Sequence, residues 1–193
     1  MKICVYGAAS SLIDESFKEA GRELGRTMVE RGHSLVFGGG ARGMMGAVAE
    51  GVCEKEGEII GVIPEFFKEG GEEISYLKCN KYIYTDTMRN RKKQMEDNSD
   101  AFIITPGGIG TYDEFFEILT LKQLGRHNKA LVVYNINDFY KEMDIMMDKA
   151  IEKKFITDDC KELYKTCNTL EEIFEYLENY DEKDIDLSKV KIR

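Results

Sequence analysis

The sequence predicts an open, doubly wound α/β fold, a mostly parallel sheet with helices on both faces. Three observations carry this. Strand and helix signals alternate along the chain with short connections. Runs such as AFIITP and ALVVYN lack polar alternation, as strands covered on both faces do. And three glycine-bearing turns, GAASS, GGGARGMMG and PGGIGT, fall where strands end, the edge at which such sheets bind ligands.

The elements follow in order. KICVYG (Lys2–Gly7) reads as the first strand and Asp14–Arg31 as an amphipathic helix. SLVFGGG is a strand running into glycines, with a helix over Gly43–Glu56 behind it. EIIGVIP is the third strand, followed by a charged loop, FFKEGGEEIS. KYIYT (Lys81–Thr85) is the fourth, with a helix over Asp86–Asn98. DAFIITP gives the fifth strand, then the GGIGT loop and a helix from Thr111 to Leu124. KALVVYN is the sixth strand, Ile136–Lys153 another helix, and LYKTCN a last short strand before the helix LEEIFEYLENY. A charged tail, 180–193, closes the chain. With no linker or repeat to divide it, the chain is expected to form a single Rossmann-like domain over 1–193.

At 193 residues, 42% hydrophobic and 33% charged, the chain has ordinary globular composition. No apolar run approaches the roughly 20 residues that cross a bilayer, and MKICVYGAAS is too short in its apolar part for a signal peptide. The expectation is a cytoplasmic protein without membrane partners. A formal charge of −9 argues against nucleic acid as a partner, because phosphate neutralisation dominates that affinity. The five cysteines show no CxxC pair and are expected as reduced thiols. With only His33 and His127 available, a multi-histidine metal centre is excluded, and both are expected as ordinary surface or loop residues.

The glycine turns pose the functional question. Gly38, Gly40 and Gly43 match G-x-G-x-x-G, but a complete strand and helix precede them, whereas the dinucleotide fingerprint opens the first βα unit. Three readings stay open: a dinucleotide loop with Glu65 as its ribose acid, a tight structural turn, or a loop admitting part of a mononucleotide. No GK[ST] follows either cluster, so a Walker loop is absent. In PGGIGT, exposed N–H groups and the positive helix end would suit an anion. Thr111-x-x-Glu114 is equally a capping box, in which the glutamate folds back on its own backbone. The helix after KYIYT bears on the choice. Met88, Arg91, Lys92 and Met95 share one face, which puts Arg91 on the inward stripe while Arg89 and Lys93 lie off it. An inward arginine demands a partner or a ligand.

MRNRK (Met88–Lys92) followed by PGGIGTYDE (Pro106–Glu114), with GGGARGMMG upstream, resembles the paired signatures of the LONELY GUY family of cytokinin riboside 5′-monophosphate phosphoribohydrolases, often mislabelled lysine decarboxylases. The likeness extends over Met1 to Asn135. Arg89 stands where the family usually has histidine, and Tyr112-Asp113 replaces a leucine-acid pair. The resemblance implies hydrolysis of the N-glycosidic bond of AMP or an N6-modified relative to free base and ribose 5-phosphate. It implies no metal and no organic cofactor, with Arg91 and Glu114 as catalytic residues. By position in the matched motifs, substrate contacts are expected at Ser10, Gly39, Gly40, Gly43, Met88, Lys92, Gly107, Gly108, Gly110 and Thr111. It also implies a homodimer, and Phe115, Phe116, Ile118, Leu119 and Leu121 spread apolar surface around one helix, as burial by both sheet and partner would require. A non-catalytic nucleotide or cofactor carrier is the alternative, since fold alone does not fix function.

Overall fold

A computed structural model describes residues 1–70 and 75–182. Seven strands form one sheet: β1 (Lys2–Tyr6), β2 (Ser34–Phe37), β3 (Ile59–Pro64), β4 (Lys81–Thr85), β5 (Ala101–Ile104), β6 (Ala130–Tyr134) and β7 (Lys165–Cys167). Their spatial order is 4-3-2-1-5-6-7, with every pairing parallel. The chain thus winds outward from β1 in one direction and from β5 in the other. The crevice beyond the carboxyl ends of those two strands is the switch point, where such folds place ligands.

The helices are α1 (Glu15–Glu30), α2 (Gly43–Glu54), α3 (Met88–Asp97), α4 (Ile109–Gln123), α5 (Lys141–Glu152) and α6 (Leu170–Glu178). Successive strand residues point to opposite faces, so β1 divides its side chains between two cores. Ile3 and Val5 join Leu24, Val48 and Phe174 from α1, α2 and α6. Cys4 and Tyr6 join Met95, Phe115 and Met143 from α3, α4 and α5. Both faces are covered, which is why the central strands β3, β5 and β6 are buried along their whole length, whereas the edge strands β4 and β7 carry exposed residues.

Local chemistry sets the helix starts. The Asp14 carboxylate accepts the Ser16 N–H at 2.9 Å to open α1, and the Thr87 hydroxyl accepts the Asn90 N–H at 3.1 Å to open α3. The helix expected over Ile136–Lys153 is corrected: a 3-10 turn, Ile136–Asp138, precedes α5. Asn137 and Asp138 sit at φ 52° and 58°, a left-handed pair no α-helix can pass through. The loop after β3 opens with a 3-10 turn, Glu65–Gly70; 71–74 and the tail from 183 lie outside the described residues. No helix among the described residues is long and apolar enough to cross a membrane.

Candidate active site

Three turns meet at the switch point. The Ala8 N–H donates to the Pro106 carbonyl at 3.1 Å, tying the turn after β1 to the turn after β5. The Met45 N–H donates to the Ala8 carbonyl at 3.2 Å, tying both to the start of α2. Gly43 makes this junction possible: its φ is +63°, and a Cβ there would lie 2.4 Å from the Ala8 oxygen. Between the turns runs a cleft of about 330 Å³, lined among others by Ser10, Met88, Arg91, Lys92, Gly108, Gly110, Thr111 and Glu114. It adjoins a second lobe of about 270 Å³ that includes Gly39, Gly40, Ile63 and Phe67. Ala9, Met45, Met88 and Arg91 border both.

The helix after PGG starts two residues earlier than expected. Gly108 is the N-cap of α4, and no side chain caps it. Thr111 is therefore buried within the first turn rather than serving as cap, and the expected capping box does not form. The same T-x-x-E string does form a box on α6, where Thr169 and Glu172 exchange both bonds. On α4, the leading N–H groups have no carbonyl beneath them. Nothing lies within 4 Å of where a Cβ would stand on Gly108 or Gly110. The amide-rich end of the helix faces open space.

Glu114, freed from capping, is paired with Arg91. The Arg91 Nη1 donates to Glu114 Oε1 at 3.0 Å, and its Nε donates to the Val62 carbonyl at 3.2 Å. That carbonyl lies just beyond Phe37–Gly61, where the β2–β3 register ends. Arg91 is 5% exposed and the Glu114 side chain 12%, so the pair is largely dry. Room for the guanidinium comes from Gly38, where a Cβ would stand 1.5 Å from Arg91 Nη2. Burial pushes the Glu114 carboxyl up to about 7, against the opposing pull of Arg91. A neighbouring cation alone would hold the carboxyl low; here desolvation outweighs it. The second carboxylate oxygen takes no hydrogen bond among the described residues, and Glu114 borders the cleft.

The remaining predicted contacts divide. Lys92 borders the cleft, but its ammonium is bound by Asp113 at 2.9 Å and by Glu117, fastening α3 to α4. Gly43 and Gly107 stand behind the lining, Gly107 against the Thr111 side chain. Met44 is fully buried core, whereas Met45 and Met88 are cleft wall. Glu65 is exposed in the turn after β3 and borders neither lobe. His33 and His127 are half-buried and also border neither; His33 stacks on Phe174, and His127 Nε2 meets the Ile118 carbonyl at 3.0 Å. The sequence reading named Gly38 only as part of a glycine string, and missed Ile63 and Phe67. The turn after β2 brings in the first, and the others depend on how β3 and its following turn fold over the cleft.

A buried acid–arginine pair beside open helix amides, at the switch point of a doubly wound sheet, defines an α/β protein equipped to act on a small anionic ligand. The family model described as "Possible lysine decarboxylase" matches residues 45–177. Cytokinin riboside 5′-monophosphate phosphoribohydrolase LOG2 of Arabidopsis thaliana is 32% identical over 185 residues, covering 96% of this chain and 86% of that protein. The rice (Oryza sativa subsp. japonica) phosphoribohydrolase LOG is 35% identical over 179 residues, covering 93% and 73%. The chain belongs to this LONELY GUY family. The molybdenum cofactor carrier protein of Chlamydomonas reinhardtii superposes with a TM-score of 0.67 at 21% identity, covering 92% of this chain and 95% of that one. That likeness concerns the fold alone.

Proposed function

We propose that the chain is an N-glycosidase that hydrolyses AMP or N6-modified nucleoside 5′-monophosphates to free base and ribose 5-phosphate. The carrying observation is that Glu114 does not cap its helix: it borders the cleft as a buried carboxyl with one oxygen held by Arg91. The 5′-phosphate sits on the open amides from Gly108 to Thr111, where the helix dipole favours an anion. Gly107 supports that turn from beneath, and Ser10 flanks it. The base occupies the second lobe against Met45, Met88, Ile63 and Phe67, with Gly39 and Gly40 on its floor.

Departure of the base leaves an oxocarbenium-like sugar, positive at the anomeric carbon. Ionised Glu114 stabilises that charge and takes a proton from the attacking water. The water oxygen bonds to the anomeric carbon as the glycosidic electron pair leaves with the base, which takes up a proton to become the free base, and Glu114 releases the proton it took. A carboxyl held at about 7 is matched to proton transfer near neutrality. Arg91 fixes one carboxylate oxygen and leaves the other for the water.

The test is product analysis with AMP, isopentenyl-AMP and pyrimidine monophosphates, using wild type and Glu114→Gln. Glutamine keeps the shape, and loss of the charge should cost on the order of 100-fold or more in rate. Near-normal release of adenine by the variant defeats the assignment. A carrier would return AMP intact while gaining thermal stability from it, but a carrier has no need of a buried acid held by a guanidinium. Decarboxylation through pyridoxal phosphate needs a lysine free to form a Schiff base. The one lysine bordering either described lobe, Lys92, is held by Asp113 and Glu117, so the residues present do not fit that cofactor. The proposal includes a cytoplasmic homodimer. Phe115, Ile118 and Leu119 are buried within the chain, while Phe116 and Leu121 remain half-buried on α4 for a partner. Sedimentation equilibrium tests it, and a monomer at micromolar concentration excludes it.

A further inference from the structure

We infer that Tyr140 is a positioning residue for the phosphate end of the cleft, an assignment that rests on the nucleotide-hydrolysis reading above. Tyr140 borders neither lobe and is 1% exposed. Its hydroxyl donates to the Thr105 carbonyl at 2.8 Å. Thr105 is the residue from which Pro106, Gly107 and Gly108 depart. It is fixed from the opposite side as well, since its N–H and its hydroxyl each donate to the Tyr6 carbonyl at 2.8 Å. The ring of Tyr140 meets that of Tyr112 edge-on, with centroids 6.1 Å apart and planes at 89°. Tyr112 lies in the first turn of α4. One side chain therefore touches both ends of the segment that presents the open amides.

The turn before Tyr140 carries Asn137 and Asp138 at positive φ, a conformation these two residue types tolerate. Asn135 braces it. Its Oδ1 accepts the Tyr140 N–H at 2.8 Å, and its Nδ2 donates to Asn168 Oδ1 at 3.0 Å, beyond β7. A ring that merely filled the core could be phenylalanine. The hydroxyl at the root of the anion turn is the feature that filling does not explain.

The experiment is Tyr140→Phe, which keeps the ring and removes the donor. Loss of one such bond corresponds to a ~5- to 10-fold change in an equilibrium constant. The expected result is that KM for AMP rises by about that factor, affinity for ribose 5-phosphate by calorimetry falls to match, and kcat stays within about twofold, because Glu114 is held by Arg91 and not by this turn. Adenosine, which lacks the phosphate, should turn over with unchanged kcat/KM. Equal losses on AMP and adenosine, or unchanged ribose 5-phosphate affinity, overturn the assignment. So does Tyr112→Phe lowering that affinity equally, since deleting a hydroxyl outside this bond should not. Should Tyr140→Phe not fold, Asn135→Ala releases the Tyr140 N–H instead; it must lower ribose 5-phosphate affinity, and unchanged affinity overturns the inference. If the wild type leaves AMP intact, the hydrolase reading fails, and the ribose 5-phosphate comparison still decides the role of Tyr140.

Discussion

Gly38→Ala adds one methyl group and tests the site at its tightest point. Gly38 has an ordinary backbone conformation, so alanine introduces no dihedral strain there. The obstacle is steric: the new Cβ would lie 1.5 Å from Arg91 Nη2 and 2.6 Å from its Cζ. Restoring van der Waals contact at about 3.5 Å requires the guanidinium to retreat by about 2 Å. A shift of that size takes Nη1 out of hydrogen-bond range of Glu114, now 3.0 Å away. The expected cost is about 1–3 kcal/mol of stability from overpacking. Activity should fall on the order of 100-fold as Glu114 loses its orientation and its cation. Urea denaturation measures the first and adenine release from AMP the second. The double variant with Arg91→Ala isolates the cause. Once the guanidinium is gone, adding the methyl group should change little, so the two substitutions must be strongly non-additive. Additive effects, or a Gly38→Ala enzyme within about threefold of wild-type rate, would refute the claim that this bare Cα seats the arginine.

Further expectations concern pH and the cradle. Glu114 titrates at about 7 in the folded chain against 4.5 for an exposed glutamate, so the folded state retains a proton that the unfolded state releases. Its contribution to stability is complete below 4.5 and is lost as pH rises through 7. Relative to wild type, Glu114→Gln should therefore gain on the order of 2–3 kcal/mol between pH 5 and pH 8, read by urea denaturation. For the enzyme, kcat/KM should rise with pH through an apparent pKa of about 7, and a flat profile over that range would remove Glu114 as the base. Gly110→Ala places a methyl group where nothing lies within 4 Å. It should raise stability by about 0.5–1 kcal/mol through helix propensity, while ribose 5-phosphate binding weakens in calorimetry because the cradle is partly filled.

Much of this architecture is legible in the chain because it rests on periodicity. The central strands fall where apolar runs place them, and Arg91 is identifiable as inward-facing from its place on the stripe with Met95. What the sequence does not disclose is which of two equivalent local signals wins. Thr111-x-x-Glu114 and Thr169-x-x-Glu172 spell the same cap, yet only the second forms it. The outcome on α4 turns on Gly108, three residues upstream of Thr111, and on an arginine from a different helix. The break before α5 is less plain, since Asn137 and Asp138 lie within the stretch read as helix and adopt left-handed angles, which these residue types tolerate, beside the Tyr140 N–H to Asn135 bond. The raised pKa of Glu114 is not legible in sequence either, because a motif shows the cation, whereas the depth of burial is a property of the assembled fold.

Arg91 grips Val62 on β3 and Glu114 on the helix that follows β5, strands on opposite sides of the point where the winding reverses. It works as a rivet through the seam of the molecule. The two halves cannot shear apart without breaking the Arg91–Glu114 pair, and damage to the frame on either side should register first as lost turnover.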